Sequence, residues 1–192
     1  KIIGVCLREE YWKIGNKELQ RKRFIKIAKI LDSFAKKHNV SFLFIPNCTY
    51  KFGNKWQDDR KVHLEIKKRL NRKTNSYLIN KQLDVFETIN IFSILDMHIT
   101  NRRHSFVFAA LQNVHSIIFN DHSGSMPNHQ LPVAKDLKMK QQVLSLNLNL
   151  NMLINKISFN WENRMSYKKK LSINSKKLIT KAKKHVPYLI NI

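Results

Sequence analysis

Two places in this 192-residue chain set basic side chains at the end of a short apolar run. Arg8 closes the run at residues 2–7, and Arg102-Arg103-His104 closes the run at 97–100. The triplet also precedes a longer apolar stretch, 106–111, so it falls on a turn from a buried strand into a helix. A helix start exposes backbone N–H groups that lack intrahelical partners, and its dipole favours negative charge. Guanidiniums grip carboxylate and phosphate through paired N–H donors, and an imidazole can carry a proton near neutral pH. The pattern suits a small anion bearing phosphate or carboxylate. A plainer explanation stands beside it: 36 residues are Lys or Arg, so a basic residue after any one strand is unremarkable.

Positioning such a site requires the two strand ends to be neighbours. A helix is expected over 17–38, where Phe24, Ile27, Ala28, Leu31, Phe34 and Ala35 share one face. A strand over 41–45 stops at Pro46, and a loop with Gly53 leads to Asp58-Asp59. Helix capping is the favoured role for these two acids, with a catalytic base as the other. Val62, Ile66 and Leu70 continue that helix, and a weaker strand follows at 76–79. Val85, Ile89 and Phe92 mark a further helix before the strand at 97–100. The last strand, 116–119, is followed by a loop carrying Asp121, Gly124 and Pro127. Five β-α repeats of this kind predict an α/β fold, a Rossmann-like parallel sheet of about five strands with helices on both faces. Right-handed crossovers give the strand order 3-2-1-4-5. Strands 1 and 4 are then adjacent, and Arg8, Arg102 and His104 are expected to converge on the crevice at the switch point. With four glycines, no G-x-G-x-x-G and no P-loop, a classical dinucleotide or ATP cradle is not expected.

From Lys135 onward the chain reads as helical and strongly basic, with Leu171, Leu178, Ala182 and Val186 as its inner face. Residues 144–151 alternate Leu with Ser or Asn, which by itself is a strand pattern and leaves that stretch ambiguous. The expected organisation is a Rossmann-like domain over 1–140 and a basic, mostly helical extension over 141–192 packed on it. A hydrophobic content of 43% supports a folded core. The net charge of +23 attracts polyanions and cannot by itself choose among nucleic acid, anionic lipid and phosphorylated substrates. Cys6 and Cys48 make no disulfide framework, fit a reducing compartment, and lack the spacing of a zinc site. No metal is called for. No apolar run approaches the ~18 residues of a membrane span. A start at Lys1 followed at once by Ile2 and Ile3 reads as a portion of something longer.

Residues 96–110, Asp-Met-His-Ile-Thr-Asn-Arg-Arg-His-Ser-Phe-Val-Phe-Ala-Ala, resemble the signature of the polysaccharide pyruvyl transferase family. That signature is an Asp entering a strand, then R-x-H, then an apolar helix rich in Phe and Ala. Residues 3–8 are similar to the strand that opens the family's second domain, again ending in Arg. Pro46 with Asp58-Asp59 and Lys135 fall in the family's order. The resemblance implies the C-terminal, donor-binding half of a glycosyltransferase-B-like enzyme, whose N-terminal acceptor domain is missing. It implies that Arg8, Arg102 and His104 contact phosphoenolpyruvate, which is a donor substrate, so no cofactor is called for. Pyruvate would pass as a ketal to two hydroxyls of a saccharide in surface or exopolysaccharide biosynthesis. His104 is the implied general acid, and Arg103 a surface or cap contact. Asp121 is placed to orient an acceptor hydroxyl or simply to form a turn, Lys135 to steady the donor, and Asp59 is a secondary candidate. Two departures stand out: Arg-Arg-His where R-L-H is usual, and Asn113-Val114-His115 where Gly-Val-Pro is common.

Two other classes compete. A nucleotide-sugar glycosyltransferase shares the architecture, and R-x-H at the fourth strand argues mildly against it. A basic nucleic-acid- or membrane-binding module would draw on the charge alone. Stacking bases needs aromatics among the basic residues, and Trp12, Trp56, Trp161 and Tyr167 are dispersed, so no specific nucleic-acid partner is expected. The expected setting is cytoplasmic, with the basic tail able to rest on anionic lipid at the inner membrane face, where a lipid-linked acceptor would reside.

Overall fold

The structure is a computed structural model that describes residues 1–8, 16–50, 58–120 and 130–183. Its centre is a sheet of six parallel strands in the order β3-β2-β1-β4-β5-β6. The strands are β1 (Ile2–Cys6), β2 (Ser41–Phe44), β3 (Ser76–Leu78), β4 (Met97–Thr100), β5 (Ser116–Phe119) and β6 (Val143–Leu144). The expected order holds, and β1 pairs directly with β4 from Ile3↔Met97 to Cys6↔Thr100. The sixth strand comes from the start of the ambiguous Leu-rich stretch. Only Val143 and Leu144 join the sheet, beside Ile118 and Phe119. The sheet therefore runs past residue 140.

Seven helices surround the sheet among the described residues: α1 (Lys17–His38), α2 (Asp59–Lys67), α3 (Val85–Ser93), α4 (Arg103–Leu111), α5 (Gln130–Asp136), α6 (Leu150–Glu162) and α7 (Arg164–Lys183). Local chemistry sets several boundaries. The Asn16 side chain accepts the N–H groups of Glu18 and Leu19 to start α1. Asn39, left-handed at φ 48°, ends it. Asp84 and Glu87 form a capping box at α3.

Alternation along the strands divides the core in two. Ile3, Val5, Phe42, Phe44, Met97, Ile99, Ile117 and Phe119 face α1, α2 and α6, where Phe34 meets Trp161 edge-on at 5.8 Å between ring centroids. The opposite face is covered by α3, α4, α5 and α7, through Phe92, Ala109, Phe106, Ala134 and Leu171. Leu171 and Ser175 are the buried positions of α7, with Leu178 partly buried. Ala182, expected on that inner face, is exposed, and Val186 lies outside the described residues. Val85 likewise stands 59% exposed, while Phe92 carries the burial of α3. No helix among the described residues is long and apolar enough to cross a membrane.

Gly4 has a packing reason. A Cβ there would collide with Leu95 and lie 3.2 Å from Ile45. Before β5, Asn113 takes φ 56°. This is a conformation that Gly adopts freely and Asn tolerates, so the Asn in place of the family's usual Gly is accommodated. His115 is stacked on Tyr167 at 4.4 Å and bonded to Asn160 at 2.9 Å.

Candidate active site

The loops at the carboxyl ends of β1, β2 and β4 meet around a buried ion pair. Arg102, the N-cap residue of α4, donates from Nε to Asp59 Oδ1 at 3.2 Å and pairs with the same oxygen through Nη2. The other carboxylate oxygen accepts the backbone N–H groups of Asn47 and Cys48, each at 3.0 Å. Asp59 thus holds the loop after β2 with one oxygen and the start of α4 with the other. Burial raises its carboxyl above the ordinary value; the Arg102 charge and the two N–H groups offset part of that rise. The cap of α2 is Asp58, which accepts the Arg60 N–H and pairs with the Arg60 side chain at 2.9 Å. The favoured capping role holds for Asp58; Asp59 has a structural ion pair instead.

A second tie joins β1 to β4. Arg8 donates its N–H to Asn101 Oδ1 at 2.8 Å, and Asn101 Nδ2 returns a bond to the Arg8 carbonyl at 3.1 Å. Thr100 Oγ1 donates to the Cys6 carbonyl at 2.8 Å and accepts the Arg102 N–H at 2.8 Å. Among the described residues no side chain caps α4, so the donors of its first turn stay open to an anion.

His63 was not anticipated. Its Nε2 accepts the Leu7 N–H at 3.0 Å, which places the ring proton on Nδ1. Burial first, then the Arg102 charge, pushes it down to about 3, so it is neutral. The signal was present in the sequence: Asp59, Val62, His63 and Ile66 are spaced as one helix face, and all four are buried. Beside it the Cys6 thiol is pushed up to about 12 by burial first and then by Asp59, which makes it inert.

The expected convergence of Arg8, Arg102 and His104 on one crevice is only partly realised. All three stand at the carboxyl edge, yet Arg8 lines a crevice of about 20 Å³ with Arg23 and Asn101. His104, exposed in the first turn of α4, lines a separate cavity of about 310 Å³ between the β2 loop and α3. Arg102, between them in the fold, is turned to Asp59. Arg103 is exposed, as is Lys135 on α5. Asp121 lies outside the described residues. Among those residues, no group of His, Cys, Asp and Glu is placed to hold a metal ion.

Six parallel strands with a switch point between β1 and β4 define a Rossmann-like α/β fold, with cationic groups at that point. Seven chains of solved structures match. One is UDP-GlcNAc 2-epimerase from Neisseria meningitidis bound to UDP-GlcNAc, at TM-score 0.54 and 14% identity. The match covers 96% of this chain and 44% of that one, so the chain spans less than half the length of its structural relative. None of the curated proteins matches. The family model for polysaccharide pyruvyl transferase matches residues 9–123, and the chain belongs to that family.

Proposed function

We propose that this domain binds phosphoenolpyruvate and donates its pyruvyl group to two hydroxyls of a saccharide. The observation that carries the reading is the start of α4, where an anchored Arg102 and an exposed His104 flank an uncapped helix N-terminus. Asp59 takes one edge of the Arg102 guanidinium and fixes its plane, leaving the remaining N–H donors for a carboxylate or phosphate. Arg8 reaches the same anion from the neighbouring strand end by turning its side chain out of the separate crevice it lines. His104 protonates the methylene carbon of the enol, and the adjoining carbon becomes electrophilic. One acceptor hydroxyl adds there and loses its proton. Phosphate then departs with the electron pair of its C–O bond, its charge offset by the guanidiniums. The second hydroxyl closes the ketal and releases its proton. A companion domain across the carboxyl edge would present the acceptor.

Calorimetry with phosphoenolpyruvate, a UDP-sugar and a short oligonucleotide tests this. Saturable phosphoenolpyruvate binding is expected, weakened at least tenfold by Arg102→Lys, which keeps a charge for Asp59 but loses the fork. Binding of the UDP-sugar or oligonucleotide alone would reject the reading.

A further inference from the structure

Positive charge is concentrated toward the end of the chain. From residue 137 onward the sequence holds twelve Lys or Arg and one acid, Glu162. Glu162 is already paired with Lys37 of α1 at 3.6 Å. Helix α7 alone carries eight of these cations and no acid. Its inner face is fixed to the domain: Leu171 and Ser175 are buried, Tyr167 stacks on His115, and Asn174 Nδ2 donates to the Leu137 carbonyl at 3.0 Å. Its opposite face runs through Met165, Lys169, Ile173, Lys176 and Thr180, at three- and four-residue spacing and all exposed.

Beside this face lies a groove of about 670 Å³, between α7 and the segment 137–142 that leads into β6. Four exposed lysines stand on its two walls, Lys138 and Lys140 on one, Lys170 and Lys177 on the other. Among the described residues no acid lines the groove. Leu137, Met139 and Leu171, all buried, line it from the core side. Lys138 holds φ 57°, a left-handed conformation that Gly or Asn adopts more readily. Strands β5 and β6 begin at this end of the sheet, and α7 meets Asn113 and His115 just before β5. The groove therefore lies at the amino edge, opposite the carboxyl edge where Arg102 and His104 stand.

We propose that α7 and this groove form a docking surface for an anionic phospholipid membrane, with the groove taking a headgroup phosphate. Clustered cations on a helix are drawn to a negative bilayer surface, and each lysine near it is worth about fivefold in partitioning. Lysines are compact, hydrated point charges, which suit a diffuse negative surface that imposes no single geometry. Met165 and Ile173, 60% and 57% exposed, stand among them and reach the boundary between headgroups and acyl chains. A single-stranded nucleic acid needs ring faces on which to stack its bases. Among the described residues Tyr167 is the one ring at the groove, and it is stacked on His115. The docking surface does not depend on the donor reading, because groove and candidate active site occupy opposite edges of the sheet.

The test is co-sedimentation of the full chain with two kinds of vesicle, phosphatidylcholine alone and phosphatidylcholine mixed equally with phosphatidylglycerol. Binding is expected to the mixed vesicles only, and it should weaken as salt is raised. Lys138→Gln, Lys140→Gln, Lys170→Gln and Lys177→Gln together should weaken it about a hundredfold or more, at about fivefold for each lysine. A control variant loses the same charge elsewhere, through Lys29→Gln, Lys36→Gln, Lys61→Gln and Lys73→Gln, and should weaken it far less. All eight lysines are exposed, and circular dichroism checks the fold of both variants. Failure to bind the mixed vesicles, equal binding to both kinds, or equal losses in the two variants would overturn the docking surface. Inorganic phosphate that binds saturably in calorimetry while the mixed vesicles do not would overturn it in favour of a free anion. Oligonucleotide binding lost in the groove variant, with vesicle binding kept, would overturn it in favour of nucleic acid.

Discussion

Asp59→Ala removes a carboxylate that is fully buried and accepts from four N–H donors: two on Arg102 and those of Asn47 and Cys48. Its partner is hardly freer, with the Arg102 side chain 12% exposed. Truncating one member of such a pair strands the other charge away from water, at a cost of roughly 3–5 kcal/mol. Two orphaned backbone N–H groups push the cost toward the upper end. Domains are stable by ~5–15 kcal/mol, so this one contact decides a third or more of the total. Urea unfolding followed by far-UV circular dichroism measures it. The sharper experiment is a cycle with Asp59→Ala, Arg102→Ala and the double variant. Because the double variant strands neither charge, it should be less destabilised than the sum of the singles by about 3 kcal/mol. A cost under about 1 kcal/mol for Asp59→Ala, or strict additivity, would refute the buried pair and return Asp59 to the candidate bases.

The pH dependence follows from three buried histidines. Burial pushes His63 and His98 down to about 3 and His115 to about 4, whereas the unfolded chain takes up these protons near pH 6.5. The unfolded state then binds more protons below about pH 6.5, so stability falls as pH falls toward the folded values. Each histidine costs about 2 kcal/mol between pH 6.5 and 5; a urea midpoint equal at pH 7 and pH 5 would contradict this. Gly4→Ala drives a methyl group into Leu95 and should cost about 1–3 kcal/mol in the same unfolding assay; an unchanged urea midpoint would show that Leu95 turns aside. Asn101→Ala unties Arg8 from β4, and phosphoenolpyruvate affinity measured by calorimetry should fall although no charge has changed. Unaltered affinity would show that Arg8 needs no such alignment.

Much of the architecture was legible because its causes are local. The 3.6-residue spacing of Phe24, Ile27, Leu31 and Phe34 depends on neighbours a turn away, and α1 follows it from Lys17 to His38. The apolar runs at 97–100 and 116–119 became β4 and β5 with those bounds. Strand order followed from crossover handedness, which depends on chain chirality more than on individual side chains. The alternating Leu stretch misled in part: Leu144 and Leu146 are buried in the core, but only the first is in a strand. Alternation reports which side chains turn inward, and an irregular turn can satisfy it as well as a strand can.

The sequence by itself determined the α/β layering and the R-x-H element, since both are set by spacing within a few residues, and crossover handedness then placed the switch point. Tertiary structure alone decided what those residues face. Asp59 and Arg102 are 43 positions apart and meet only because β1 lies between β2 and β4. The same packing assigned Arg8 and His104 to different cavities. Such neighbours are chosen by sheet order and register, which bring together side chains that no local pattern relates.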